Sequence, residues 1–164
     1  MIKKKIVMLG SFAVGKTSLV KRFVHSIFSE KYHTTIGVKI DQKILKVDGA
    51  EVNLLIWDLH GEDDYQKVKT GYIMGASGCF IVMDGTRKAT LDIGYELINT
   101  VNKTIPDSEI LILINKSDCK NEWEISEEDI KQLKTSGFEV METSAKANVA
   151  VELAFEKLAH LVIK

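Results

Sequence analysis

Short apolar runs alternate with amphipathic stretches along the 164-residue chain. Six runs have the length and flanking turn residues typical of strands, in the stretches KKIVMLG, KIDQKILKV, AEVNLLIWD, GCFIVMDG, EILILINKSD and FEVMETSA. Helical spacing occurs in four stretches, KTSLVKRFVHSIF, TLDIGYELINTVNKTI, ISEEDIKQLKTSG and NVAVELAFEKLAHLVI. In the first of these, Leu19, Phe23 and Ile27 share one predicted face.

Turn and cap residues separate these elements. Asp48-Gly49 predicts a hairpin, Ser126 with Asp129 suits a capping box, and Gly137 suits a helix C-terminus. Strands alternating with helices predict a parallel sheet covered on both faces. The expected fold class is therefore α/β: a three-layer sandwich with a mainly parallel six-stranded sheet, one antiparallel edge strand and about five helices. Ligands of such sheets bind at the carboxyl ends of the strands.

Length and composition fit a single domain over residues 1–164. The net charge of −1 gives no broad attraction to nucleic acid, and the apolar run after the basic N-terminus is too short for a signal peptide or membrane span. Cys79 and Cys119 belong to no CxxC or Cys/His pairing, so reduced thiols in a cytoplasmic protein are expected and a zinc site is not.

A phosphate-binding pattern follows the first strand. GSFAVGKTS, from Gly10 to Ser18, matches G-x-x-x-x-G-K-[ST] with a predicted strand before it and a helix after it. The glycines let the backbone approach phosphate, and the helix N-terminus offers free N–H groups. Lys16 would reach the β- and γ-phosphates, and the Thr17 hydroxyl would ligate Mg²⁺. The alternative is a glycine turn without a ligand, which this context disfavours; a P-loop NTPase is expected.

Asp58 stands at the end of a second apolar strand. An acid at that place usually holds the Mg²⁺ hydration shell. Strands often end in Asp, so this signal is weak alone, and Gly61 three residues later strengthens it.

The residues NKSD, Asn115 to Asp118, indicate which base is bound. A carboxylate at Asp118 can accept from guanine N1–H and its 2-amino group, whereas adenine would leave the carboxylate unpaired. Asn115 would tie loops together, and the Lys116 stem would cover the base. As a bare tetrapeptide NKSD is also compatible with a solvated turn. After the next strand, in ETSAK, the Ala145 N–H can donate to guanine O6.

Five segments together resemble the motifs of Ras-superfamily small GTPases: Gly10–Thr17, Thr35, Asp58–Gly61, Asn115–Asp118 and Thr143–Lys146. The spacing matches over essentially the whole chain, and YHTTIGV and WD most resemble the Rab branch. The resemblance implies a GTP hydrolase that binds GTP or GDP with Mg²⁺. It also implies that Phe28 packs against guanine and that Thr35 caps Mg²⁺ and the γ-phosphate. Effector, exchange-factor and activating proteins would bind two switches, around residues 29–39 and 59–75, and nucleic acid would not be a partner.

The expected site residues fall into three groups. Catalytic roles go to Lys16, Thr35, Gly61 and Glu62, and Mg²⁺ ligation to Thr17, Thr35 and Asp58. The nucleotide is expected to contact Phe12, Ala13, Val14, Gly15, Lys16, Thr17, Ser18, Phe28, Thr35, Gly61, Asn115, Lys116, Asp118, Ser144, Ala145 and Lys146.

Glu62 departs from the family pattern, which has Gln there. Ionised Glu accepts but cannot donate, and it brings negative charge to an anionic transition state, which predicts slow hydrolysis. Alternatively, the γ-phosphate raises its pKa so that it orients water or takes its proton. A third interpretation is a solvent-facing Glu within the acidic run Glu62-Asp63-Asp64. His60 is either a catalytic imidazole or an exposed loop histidine.

Phe12 is a second departure, at a position that is small in relatives. We hypothesise that its side chain hinders the arginine of an activating protein from reaching the γ-phosphate. Ala13 replaces a common glycine, and a positive φ there would strain the loop.

The third departure is the C-terminus. The chain ends at HLVIK with no Cys in its last 45 residues and no Met-Gly start, so no lipid anchor is expected in it. Either the protein is natively cytoplasmic, or a tail was removed and the protein is peripheral to membranes.

Two further functions stay open beside a slow Rab-like GTPase. One is a GTP-binding recruitment module that does not turn over usefully, which Glu62 and Phe12 favour. The other is an ATP-using P-loop kinase, which NKSD disfavours.

Overall fold

The computed structural model describes residues 1–29, 37–59 and 70–164. Six strands form one sheet in the order β2-β3-β1-β4-β5-β6, in which β2 pairs antiparallel with β3 and the other neighbours are parallel. The predicted mainly parallel sheet with one antiparallel edge strand is therefore confirmed. The strands are β1 Ile2–Gly10, β2 Val38–Val47, β3 Ala50–Leu59, β4 Gly78–Asp84, β5 Glu109–Asn115 and β6 Glu139–Glu142.

Five α-helices lie within the described ranges, together with a 3₁₀ segment at Ser117–Glu122. The helices are α1 Lys16–His25, α2 Thr70–Ile73, α3 Ala89–Thr104, α4 Glu127–Thr135 and α5 Val151–Val162. None of them is both long and apolar enough to span a bilayer.

Local sequence explains most of the boundaries. Asp48 and Gly49 have φ of 50° and 81°, as a tight hairpin turn requires, and they connect β2 to β3. The Ser126 hydroxyl accepts from the Asp129 N–H while the Asp129 carboxylate accepts from the Ser126 N–H, which is the predicted capping box.

The predicted extension of the first helix to Phe28 is wrong. Helix α1 ends at His25, because Ser26 takes a left-handed φ of 56° and its N–H bonds back to the Arg22 carbonyl. Ile27 consequently lies off the helix face and is exposed. The two strands predicted to run into NKSD and ETSA also end earlier, at Asn115 and Glu142.

Both faces of the sheet are buried. On one face α1 and α5 pack together, with the rings of Phe23 and Phe155 stacked 4.0 Å apart. On the other face α3 and α4 cover the sheet through residues such as Leu97, Ile98 and Leu133. These layers form the predicted three-layer sandwich.

The register of the parallel strands brings their carboxyl ends to one edge. Met8 pairs with Asp58, Gly10 with Val82, and Asp84 with Asn115. The carboxyl end of β3 and the loops that follow β1, β4, β5 and β6 therefore lie side by side, at the edge where open α/β sheets bind ligands.

Candidate nucleotide site

The loop between β1 and α1 wraps tightly, and two of its glycines have no room for a side chain. A Cβ at Gly10 would lie 2.4 Å from the Val82 carbonyl oxygen, and one at Gly15 would lie 2.3 Å from Asn115 Nδ2. Gly15 also has a φ of 103°. Ala13 has a φ of 62°, so the condition under which this residue strains the loop is met. Any substitution at Gly15 would thus displace Asn115 as well as the loop.

The Lys16 side chain lies on the inner side of this loop. Its side chain is buried, and Nζ donates to the carbonyl oxygens of Gly10 at 2.9 Å and Ser11 at 3.3 Å. A buried ammonium requires such acceptors. The cation is therefore held within the loop, where the helix N-terminus also favours an anion.

Thr17 and Asp58 come together from different elements. Thr17 Oγ1 donates to Asp58 Oδ2 at 2.5 Å, and the same hydroxyl oxygen carries lone pairs of the kind that ligate a cation. Asp58 is buried, and its Oδ1 has no hydrogen-bond partner among the described residues. Mg²⁺ prefers oxygen ligands and retains waters that such a carboxylate can accept, so these two residues fit the ion.

Within residues 1–29, 37–59 and 70–164, no group of three or more His, Cys, Asp or Glu side chains is placed to hold a metal ion. Mg²⁺ is commonly bound by one or two protein groups together with water and phosphate. Thr35, the third expected ligand, lies outside the described residues.

The ionisation of Asp58 reflects its burial. Desolvation raises the pKa of Asp58 above its usual value, and it outweighs the hydrogen bond from Thr17 and the attraction of Lys16 and Lys39, which lower that pKa. A carboxylate that burial makes costly to ionise is stabilised by a bound cation.

Asn115 joins three loops. Its Nδ2 donates to the Val14 carbonyl oxygen at 3.0 Å, and its Oδ1 accepts from Thr143 Oγ1 at 3.1 Å. Val14 belongs to the loop after β1 and Thr143 follows β6, so one buried amide at the end of β5 connects both of these loops. Asn115 was expected to tie loops together, and these two hydrogen bonds do so.

Asp118 and Ser144 connect the loops that follow β5 and β6. Ser144 Oγ donates to Asp118 Oδ1 at 2.6 Å and accepts from the Ala147 N–H at 2.9 Å. Burial raises the pKa of Asp118, but the hydrogen bonds from Ser144 and Cys119 outweigh burial and hold that pKa below its usual value. Asp118 is therefore an anion whose direction is fixed by Ser144.

Asp84 was not among the residues expected from the sequence, and it lies at the centre of the site's polar network. It is fully buried at the end of β4, and its Oδ2 lies 2.8 Å from Lys116 Nζ and 3.0 Å from Arg87 Nε. Its Oδ1 accepts from the N–H and hydroxyl of Thr86. Burial opposes ionisation, but the hydrogen bonds from Lys116 and Thr86 outweigh it and lower the pKa of Asp84.

Two arginines were also not expected from the sequence. Arg87 Nη2 donates to the Phe12 carbonyl oxygen at 2.6 Å. Arg22 donates to the carbonyl oxygens of Ala145 and Lys146 at 2.8 and 3.0 Å, and its guanidinium lies 5.9 Å from the Phe28 ring centre. A basic residue on a helix, such as Arg22, or in a loop, such as Arg87, carries no sequence signal for such contacts. The carboxylate of Asp84 resembles that of Asp58 in standing at a strand end, which is a weak signal.

Part of the expected site lies outside the described residues. His60, Gly61 and Glu62 are in that part together with Thr35, and so are residues 30–36 and 60–69 of the two expected switches. Phe12 lies in the phosphate loop and is 39% exposed. Val14 and Ala145 are buried, and Ser18 and Phe28 are half-buried beside the same loops.

Comparisons with known proteins agree with this geometry. A family model described as the Ras family matches residues 5–164. Ras-related protein Rab-8A of Gallus gallus is 35% identical over 158 residues, which cover 95% of this chain and 76% of the relative. Ras-related protein Rab-12 of Mus musculus is 33% identical over 165 residues, which cover 99% of this chain and 68% of the relative.

Proposed function

The chain belongs to the Ras family, close to its Rab members, and on that premise we propose that residues 1–164 form one guanine-nucleotide switch. The protein is a small GTPase by family. The proposal is that it binds GTP or GDP with Mg²⁺, changes its partner-binding surface with the nucleotide, and hydrolyses GTP slowly.

The bridging amide of Asn115 carries the proposal. A single buried side chain contacts the phosphate loop at Val14 and the base loop at Thr143, so phosphate and base positions are fixed relative to each other. This arrangement suits a ligand that has phosphate at one end and a base at the other. Asp118, held as an anion by Ser144, supports guanine as that base.

The phosphate end is supported by fixed positive groups. Lys16 is positioned inside the loop by the Gly10 and Ser11 carbonyls and can transfer its donors to phosphate oxygens. Thr17 and Asp58 would hold the metal ion, which supplies charge neutralisation to the phosphates when bound. The N–H groups of Gly10 to Thr17 would stabilise the remaining phosphate charge.

Slow hydrolysis follows from the chemistry proposed for Glu62. Water attacks the γ-phosphorus, the bond to the β–γ bridging oxygen breaks, and GDP and phosphate result. An amide can accept from the water and donate to the transferring phosphoryl group, but an ionised carboxylate only accepts and adds negative charge. The transition state therefore has less stabilisation than an amide would give, while Lys16, Thr35 and Gly61 retain their roles.

Switching would use the expected partner surfaces around residues 29–39 and 59–75. The γ-phosphate and Mg²⁺ offer contacts to Thr35 and Gly61 that disappear on hydrolysis, so the surface read by effectors differs between the two states. Exchange factors and activating proteins would bind the same regions. A role in vesicle trafficking is typical of Rab proteins, and we propose a cytoplasmic or membrane-peripheral location.

A second candidate function is a recruitment module that holds GTP without useful turnover. Phe12 favours it, because an exposed aromatic side chain in the phosphate loop stands where relatives have a small residue. Glu62 favours it as well, because an ionised carboxylate stabilises the transition state less than an amide does. The two candidates share the nucleotide site and differ only in the fate of bound GTP.

Nucleotide competition tests the shared part of the proposal. Fluorescent GDP bound to the protein is displaced by GTP, GDP or ATP, with Lys16→Ala compared with Lys131→Ala, a surface control on α4. We expect GTP and GDP to compete equally and ATP to be weaker by about 10⁴-fold, because ATP leaves Asp118 unpaired. Lys16→Ala should weaken all nucleotides. Equal competition by ATP would support a kinase-like ATP site and contradict the proposal.

A further inference from the structure

The chain contains two arginines, and both donate to backbone carbonyls of the proposed nucleotide loops. Arg22 holds the base loop through Ala145 O at 2.8 Å. Arg87 holds the phosphate loop through Phe12 O at 2.6 Å. The two guanidinium groups therefore restrain opposite ends of the site, and neither belongs to one of the five sequence motifs.

Arg87 is fixed at two points. Its Nε donates to Asp84 Oδ2 at 3.0 Å while its Nη2 donates to Phe12 O. Asp84 is fully buried and is itself oriented by Thr86 and Lys116. Because the guanidinium is planar and rigid, fixing Nε fixes the direction of Nη2. A lysine at this position has its three donors on one flexible nitrogen, so it lacks the rigid plane through which contact at Nε directs Nη2.

The contact at Phe12 orients one N–H group of the phosphate loop. The carbonyl of Phe12 and the N–H of Ala13 belong to the same trans peptide plane, in which they point in opposite directions. A carbonyl directed toward Arg87 therefore directs the Ala13 N–H away from it. A charged donor on the carbonyl also polarises the peptide, which makes that N–H a stronger donor.

The backbone conformation of Ala13 explains why the bond from Arg87 to the Phe12 carbonyl is needed. Ala13 has a φ of 62°, in the left-handed region that favours glycine. Without an external restraint, an alanine there would favour another conformation, and the Phe12–Ala13 peptide would turn with it. The bond from Arg87 to the Phe12 carbonyl opposes that turn.

We propose that Arg87 is a positioning residue that holds the Ala13 N–H toward the phosphates beyond the α-phosphate. The inference rests on the proposed function, since it assigns a task to Arg87 within that nucleotide site. The proposal gives the two arginines different roles. Arg87 contributes to binding of the β-phosphate, whereas Arg22 contributes to binding of the base. GMP retains the base and α-phosphate and lacks the β-phosphate, so GMP distinguishes the two roles.

The test compares GDP and GMP affinities by titration calorimetry or competition. The proteins are the parent, Arg87→Ala, Arg87→Lys, Arg22→Ala and the surface control Lys131→Ala. For Arg87→Ala we expect GDP to bind about tenfold more weakly, the usual effect of losing a charged hydrogen bond. GMP affinity should change by less than about twofold. Arg87→Lys should resemble Arg87→Ala, and Arg22→Ala should weaken GDP and GMP by the same factor.

Each outcome decides something different. A selective loss of GDP affinity in both Arg87 variants supports the proposal. Equal weakening of GDP and GMP binding by Arg87→Ala would mean that the substitution affects the fold in general. Unchanged GDP affinity would mean that Arg87 does not affect the phosphate loop. Either result overturns the inference and leaves the proposed function standing. If Arg87→Ala does not fold, Arg87→Lys decides the question by the same ratio. A parent protein that binds no guanine nucleotide overturns the proposed function and this inference with it.

Discussion

Thr17 Oγ1 and Asp58 Oδ2 lie 2.5 Å apart, in a hydrogen bond that connects the start of α1 to the end of β3. The other carboxylate oxygen of Asp58 is buried without a partner among the described residues. A cation with its bound waters would supply the partner that this oxygen lacks among the described residues.

Asp58→Asn should stabilise the metal-free, nucleotide-free protein near neutral pH. Burial raises the pKa of Asp58, so the folded state binds a proton more readily than the unfolded state, and the free energy of unfolding falls as the pH rises through the interval above 3.8. Asparagine keeps an acceptor for Thr17 and removes that penalty. Thermal unfolding with a chelator should show a higher Tm for Asp58→Asn, with a difference that shrinks as the pH is lowered toward 3.8.

The same pair of proteins provides the control. With saturating GDP and Mg²⁺ the order should reverse, because the cation stabilises the ionised carboxylate of the parent and the amide cannot replace it. A variant that is less stable than the parent under both conditions would mean that Asp58 is a structural residue and not part of a metal site.

Asp118→Asn should change the base preference from guanine to xanthine. Xanthine has a carbonyl at C2 where guanine has an amino group, and the Asn amide can donate to that carbonyl while its oxygen still accepts from N1–H. GDP affinity should fall by on the order of 10²-fold or more, and xanthosine diphosphate affinity should rise in the variant. Competition between the two diphosphates measures both changes. Parallel losses for both ligands would indicate that Asp118 supports the loop through Ser144 and does not read the base.

Phe12→Gly should make the protein more responsive to an activating protein that supplies an arginine. Phe12 is partly exposed in the phosphate loop, and removing its ring opens the approach to the γ-phosphate. An arginine finger accelerates hydrolysis by roughly 10³ to 10⁵, a range that includes Ras, a relative of this chain. We expect a Rab-directed activating domain to accelerate Phe12→Gly at least about tenfold more than the parent. Equal acceleration of the two would show that Phe12 does not obstruct the arginine.

The fold could be predicted because its signals are local. Apolar runs, the Asp48-Gly49 turn and the Ser126–Asp129 capping box each depend on neighbouring residues, and the structure contains them as predicted. The end of α1 was misplaced, because the left-handed turn at Ser26 competes with a helical pattern that continues to Phe28.

The site was predictable only where motif and chemistry coincide. Asp58 and Asn115 stand at strand ends and Lys16 stands at the start of α1, all within recognisable spacing. The backbone contacts of Arg22 and Arg87 join residues 123 and 75 positions apart, which no local pattern encodes. Asp84 acquires its importance from the two cations that contact it. Arg87 is a local neighbour three residues later, whereas Lys116 is brought there by the packing of β4 beside β5.

Single-turnover hydrolysis of stoichiometrically bound GTP with Mg²⁺ tests the proposed slow GTPase most directly, with the parent beside Glu62→Gln and Glu62→Ala. We predict slow but measurable release of phosphate by the parent and faster release by Glu62→Gln, because the amide can both accept from water and donate to the phosphoryl group. Fast turnover by the parent that is lost in Glu62→Ala and not improved in Glu62→Gln would contradict this prediction. In that case the Glu62 carboxylate positions water or takes its proton, and the protein is an efficient GTPase.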